Sequence, residues 1–178
     1  MERIRNLNYS SDFNRGMTID AYKELLGDQE QVHNLHYNKA TVNEEFNLPD
    51  DLKILIITEP WCGDSTAILP VLQKLFEKTN VEVRILRRDD NLELIDQFLT
   101  NGGRAIPIVI ILDRDGNYLG HCGPRPSEAR QIFDAHREAI KNGEMEKSEV
   151  IRKIRTFYSK DHGAAILNSF LQMLNNVT

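Results

Sequence analysis

The sequence predicts an α/β fold: a mixed β-sheet flanked by helices, with extra helices at the N- and C-termini. Three observations carry this expectation. "LKILIIT" (52–58) is a short Ile-rich run, the pattern of a strand covered on both faces. "DSTAILPVLQKLFEKT" follows it with Ile68, Leu69, Leu72, Leu75 and Phe76 at helical spacing. "IVIIL" (108–112) and "YLGHC" (118–122) flank "DRDGN", a hairpin signal because Asp-Gly accepts a positive φ.

The remaining elements follow in order. The first forty-odd residues read as helical. Thr18 is placed to cap "IDAYKELL", whose Ile19, Tyr22, Leu25 and Leu26 share a face, and Gly27 can end that turn. "QEQVHNLHYNKA" is a second, weakly patterned helix, and Pro49 breaks the chain after it. "VEVRIL" (81–86) alternates as a strand. Asn91 is expected to cap "LELIDQFL", which Gly102 and Gly103 stop. Ser127 is expected to cap "EARQIFDAHREAI". Helices over 148–159 and 164–175 carry Ile151, Ile154 and Phe157, then Ile166, Phe170 and Leu174, on apolar faces. Two strands joined by a helix are expected to be parallel, and the hairpin adds an antiparallel pair. The expected organisation is a helical extension at 1–49, a central domain at 50–142 and a second helical extension at 143–178.

Composition narrows the function. The chain has 178 residues, 40% hydrophobic and 28% charged, which suits an ordinary globular domain. Its net charge is −5, and no basic block interleaves with aromatics, so neither nucleic acid nor a membrane is an expected partner. "MERIRNLNYSSDF" lacks an apolar signal region, and no run approaches membrane-spanning length. Two cysteines, Cys62 and Cys122, are too few for a disulfide framework and agree with a reducing compartment. The expected location is the cytoplasm.

The stretch "EPWCGDSTAILP" (59–70) places Cys62 where strand hands over to helix. A sulfur there meets unpaired backbone N–H groups and the positive end of the helix dipole, which favours the thiolate. Asp64, two residues on, opposes a second negative charge. Ser65 stands where a second sulfur would resolve a mixed disulfide. A hydroxyl cannot do that, although it can donate a hydrogen bond to a thiolate or simply serve the helix N-terminus. The bland reading of Cys62 is a small buried apolar residue.

"WCGDS" after an Ile-rich strand resembles the Trp-Cys-Gly-x-Cys of the thioredoxin superfamily. Pro70, eight positions after Cys62, is similar to the proline that kinks that family's active-site helix. "RAIPIVIIL", with Pro107 45 positions after Cys62, resembles its cis-proline segment, and "DRDGNYLGHCG" resembles its closing hairpin, ending at Gly123. The resemblance covers about residues 50–142. It is nearest to a bacterial thioredoxin-like subgroup with an N-terminal helical extension and Trp-Cys-Gly-Asp-Cys, from which this chain departs at Ser65, natural or engineered. It implies Cys62 as nucleophile and Ser65 as its catalytic neighbour. Trp61, Ile106, Pro107 and Gly123 would frame the substrate, the free backbone of Ile106 pairing with an extended chain. Asp64 and Glu59 are assigned a modulating role. Dithiol relatives often carry a buried acid six positions before the cysteine. Here that residue is Ile56, which agrees with the missing second thiol.

Cys122 closes the hairpin and is either a distant resolving thiol or, preferably, a small core-facing residue. His121 and Cys122 have no metal-ligand spacing with Cys62, and no metal or cofactor is expected. Arg87, Arg88, Arg104 and Arg125 fall near the strand ends that frame Cys62. They either hold carboxylates of a peptide thiol or form a solvated rim balanced by Asp89, Asp90 and Asp113. Three functions are open. The leading one is a monothiol oxidoreductase acting on protein disulfides or low-molecular-weight thiols. The alternative is a thioredoxin-fold binding module with a vestigial site. The third is an iron–sulfur carrier like monothiol glutaredoxins, from whose pattern Trp61, Asp64 and the absence of a glycine-acid signature after Cys122 all depart.

Overall fold

Alternation along the strands decides which helices can pack where. The computed structural model describes residues 8–43 and 46–178. Strands β1 (Lys53–Thr58), β2 (Glu82–Arg87), β3 (Ile108–Leu112) and β4 (Tyr118–Cys122) form one sheet in the order β2-β1-β3-β4. β1 pairs parallel with β2 and antiparallel with β3, which pairs antiparallel with β4. Ile54, Ile56, Val83, Ile85, Val109 and Ile111 enter one buried cluster. Leu55, Ile57, Leu86, Ile108, Ile110 and Leu112 enter another on the opposite face. That is why "LKILIIT" and "IVIIL" are apolar at every position rather than at alternate ones.

The helices α1 (Ser10–Arg15), α2 (Ile19–Lys23) and α3 (Gln29–Lys39) precede the sheet. After β1 comes α4 (Gly63–Phe76), and after β2 a short α5 (Leu92–Ile95) continues as a 3-10 turn over Asp96–Phe98. The chain closes with α6 (Ser127–Ala135), α7 (Arg137–Lys141), α8 (Lys147–Asp161) and α9 (Ala164–Val177). One face of the sheet is covered by α4, α8 and α9, the other by Phe13 of α1 and Leu94, Ile95 and Phe98 after β2.

Among the described residues, neither flanking segment has a core of its own. Tyr22, Leu26, Ala40 and Val42 from the first, and Val150, Ile154, Tyr158, Ile166, Phe170 and Leu174 from the second, join the cluster containing Ile54 and Ile56. Phe170 meets Phe76 edge-on at 5.4 Å between ring centres.

Thr18 caps α2 as expected, accepting from the Ala21 N–H. Two other caps differ. The Asn91 side chain donates to the Arg87 carbonyl at 2.7 Å and accepts from Arg15, so it is not free to cap α5. Ser127 is the first residue of α6 rather than its cap, and its hydroxyl donates to Glu128. The helix expected through 127–140 divides at His136, whose backbone leaves the helical region (φ −111°, ψ 2°). Among the described residues, no helix is long and apolar enough to cross a membrane.

Candidate active site

The turn between β1 and α4 is held from three sides. Cys62 is the cap residue of α4, with extended backbone. Its N–H donates to the Glu59 carbonyl at 3.1 Å, and its own carbonyl accepts from the Thr66 N–H and hydroxyl. The Cys62 thiol donates to the Ile106 carbonyl at 3.7 Å, which brings the turn against the segment after α5. Cys62 is only 8% exposed, while Trp61 beside it is 57% exposed, so access to the sulfur runs past an apolar ring.

The Ile106–Pro107 peptide bond is cis. Gly123 has φ +114°, and a Cβ there would stand 2.2 Å from the Pro107 carbonyl oxygen. Only glycine allows the end of β4 to approach the Pro107 loop this closely. The structure thus gathers Cys62, Ile106, Pro107 and Gly123 at one end of the sheet.

Ser65 is buried, and it is the hydroxyl of Thr58, the last residue of β1, that donates to it. Tyr22 hydrogen-bonds Thr58 in turn, and burial pushes the phenol pKa of Tyr22 up. A chain of three hydroxyls therefore runs from α2 to the first turn of α4. Among the described contacts, the hydrogen bond of the Cys62 thiol goes to Ile106 and that of Ser65 comes from Thr58.

The two carboxylates expected to modulate the thiol are both neutralised within the chain. Glu59 is fully buried, accepting from the Arg87 Nε at 3.1 Å and the Asp89 N–H at 2.9 Å. It anchors the start of the turn to the end of β2. Asp64 accepts from the Arg125 Nε at 3.0 and 3.1 Å and from the Tyr158 hydroxyl at 2.9 Å. Burial works against the Arg125 charge, but hydrogen bonds to Asp64 outweigh it and raise its pKa. Burial, then the charge of Asp64, pushes the Tyr158 phenol up. Asp64 consequently presents less negative field to Cys62 than its position in the sequence suggests.

The four arginines are occupied, by partners other than those expected for Arg87, Arg104 and Arg125. Arg87 pairs with Glu59 and Arg104 with Asp96, while Arg125 pairs with Asp64. Arg88 does pair with Asp89; it also donates to the Arg104 carbonyl and lies 5.0 Å from the Trp61 ring centre.

Cys122 and Cys62 are both free thiols. Cys122 is half-buried against the cluster that contains Ile54 and Ile56, opposite Val109 on the sheet, and desolvation of its thiol pushes its pKa up to about 12. His121 points to the other face, in contact with Tyr118 and 5.0 Å from the Phe98 ring centre. Among the described residues, no group of three or more His, Cys, Asp or Glu side chains is placed to hold a metal ion.

Sequence reasoning missed Tyr22, Thr58, Tyr158 and Arg155. Thr58 could have been found, as the one polar side chain closing an otherwise apolar strand. Tyr158 sits on the inward face of α8 with Val150 and Ile154, a visible helical stripe, but its pairing with Asp64 is 94 positions away in the chain. Through Ile151, Arg155 and Tyr158, α8 forms one wall of a cleft of about 230 Å³ whose other wall is Trp61, Cys62 and Asp64.

Comparison with known proteins agrees with this architecture. The solved structure of a protein of unknown function from Pseudomonas aeruginosa is similar at a TM-score of 0.60 and 21% identity, covering 90% of this chain and 95% of that one. An HIV epitope-scaffold is similar at 0.59 and 20% identity, covering 90% and 96%. At these identities the likeness concerns the fold. A thioredoxin family matches residues 16–141, from Gly16 before α2 to the end of α7, and the chain belongs to that thioredoxin family.

Proposed function

We propose that the protein is a monothiol thiol–disulfide exchange protein working through Cys62. The observation that carries this is the placement of a free cysteine at the cap of α4, hydrogen-bonded to Ile106 beside Pro107 and opening on a cleft. The Ile106 carbonyl fixes the direction of the thiol at the head of α4.

In the proposed reaction the Cys62 thiolate attacks one sulfur of a disulfide RS–SR′. A Cys62–SR bond forms, the S–S bond breaks, and R′S⁻ leaves with the electron pair to take a proton from water. Ser65 offers no second sulfur, and the high pKa of Cys122 leaves it almost wholly protonated near neutrality. An outside thiolate must then attack the R sulfur, releasing the Cys62 thiolate and a new disulfide.

A second reading, a binding groove with a vestigial site, draws on the small exposure of Cys62. One experiment separates them. Wild type mixed with a small disulfide and no added thiol should accumulate a stable mixed disulfide at Cys62, seen by intact mass and peptide mapping. Ser65→Cys should not accumulate it, because the new sulfur on the first turn of α4 resolves it. Absence of any adduct at Cys62 would hand the protein to the binding reading.

A further inference from the structure

Arg155 is the arginine at this site that has no carboxylate of its own among the described residues. Arg87, Arg88, Arg104 and Arg125 each pair with one. Arg155 is exposed on α8, and its guanidinium lies over Gly63: a Cβ built on that glycine would be 3.4 Å from Nη2. Its neighbours in the cleft are Trp61, Cys62, Ile151 and Tyr158. The cleft's carboxylate, Asp64, already satisfies Arg125 and Tyr158. An adjoining depression adds Arg152 and Lys147 to the same side of α8. The space next to the sulfur is thus apolar on two sides and carries uncompensated positive charge on a third. A cation held against the first turn of α4 is also repelled by the helix dipole, a cost that an anion between them would remove.

The wall bearing Arg155 is fixed. Val150, Ile154 and Tyr158 are buried, and the Tyr158 hydroxyl is bonded to Asp64 at 2.9 Å. A bulky protein segment must work around α8 to reach Cys62, a residue only 8% exposed, whereas a small molecule fits the cleft.

We infer that Arg155 makes Cys62 selective for small disulfides that carry a carboxylate, its guanidinium holding the carboxylate while the sulfur is attacked. This rests on the exchange reading above and names its substrate class. The step is the one already written, with RS–SR′ an anionic low-molecular-weight disulfide and an outside thiol as the second reactant.

Three disulfides of similar size test the inference: dithiodiglycolate with two carboxylates, neutral 2-hydroxyethyl disulfide, and cystamine with two ammonium groups. The rate of mixed-disulfide formation at Cys62 is measured by rapid acid quench and mass spectrometry, for wild type and Arg155→Gln. Taking the wild-type to variant ratio for each disulfide cancels differences in leaving group. The expected ratio is roughly tenfold for dithiodiglycolate, within about twofold for the neutral compound and below one for cystamine. The first should shrink as salt is raised. Circular dichroism checks that Arg155→Gln remains folded. A ratio that is the same for all three overturns the inference and leaves the exchange reading standing. Faster reaction of wild type with insulin than with dithiodiglycolate also overturns it. If none of the three forms an adduct with wild type, the exchange reading itself has failed.

Discussion

Two Cys-Gly pairs sit at the same end of the sheet, Cys62-Gly63 at the start of α4 and Cys122-Gly123 at the end of β4, and their surroundings differ in kind. The first is held by polar contacts: Glu59 to Arg87, Asp64 to Arg125 and Tyr158, and the thiol to the Ile106 carbonyl. The second is held by packing, with Val109 opposite Cys122 and the Pro107 carbonyl against the bare Cα of Gly123. A thiol at a helix end that opens on a cleft can meet a disulfide, while one packed among apolar neighbours holds its proton more tightly. The residues of the two dipeptides are identical; what the sulfur faces makes the difference.

The sharpest way to break this contrast is to remove each sulfur in turn. Cys62→Ser should abolish mixed-disulfide formation, by more than about a hundredfold, since no other thiol is placed to attack. Cys122→Ser should leave the rate within about twofold, and a large loss there would make Cys122 the attacking thiol.

The glycines offer the next largest contrast. Gly123→Ala forces a Cβ onto the Pro107 carbonyl at a backbone angle that alanine avoids, and should cost about 3 kcal/mol or more. Gly63→Ala meets only the movable tip of Arg155 in a helical turn, and should change stability by less than about 1 kcal/mol. Denaturant unfolding of the two variants measures both.

Smaller again is the Asp64 contact. Asp64→Asn removes the charge facing Arg125, which is less than one-third exposed, and should destabilise by about 1–3 kcal/mol. Tyr158→Phe loses one hydrogen bond and should cost about 1 kcal/mol. If Asp64→Asn proves neutral, the pair does not secure α8 against the site.

The smallest effect is in pH. The folded state holds the Cys122 proton more tightly than the unfolded chain does, so its contribution is intact below about pH 9 and is lost as pH climbs towards about 12. Tyr22 and Tyr158, also raised, lose stability in the alkaline range too. Cys122→Ser should therefore flatten, without removing, the alkaline decline in stability of wild type.

Much of this was legible in the sequence. The strand–helix order, the parallel and antiparallel pairings, and both ends of the hairpin follow from periodicity and turn chemistry, which are local. The terminal helices were legible as elements. That they complete the core of the sheet was not, because an apolar stripe does not name what it packs against. The same limit applies at the site. Cys62 and its position at the head of a helix read directly from "EPWCGDS", whereas the partners of Asp64 come from residues 61 and 94 positions away. Glu59 reads as a neighbouring charge, and only folding reveals it as the buried anchor between β1 and β2.

Alkylation kinetics test the central contrast most directly. Native protein is treated with iodoacetamide at neutral pH, and modification of each cysteine is followed by peptide mass spectrometry. Cys62 should be modified first and Cys122 only slowly until the protein unfolds, consistent with a thiol held at a pKa of about 12. Modification of Cys122 ahead of Cys62 in the folded protein would contradict the assignment of the reactive sulfur to the head of α4.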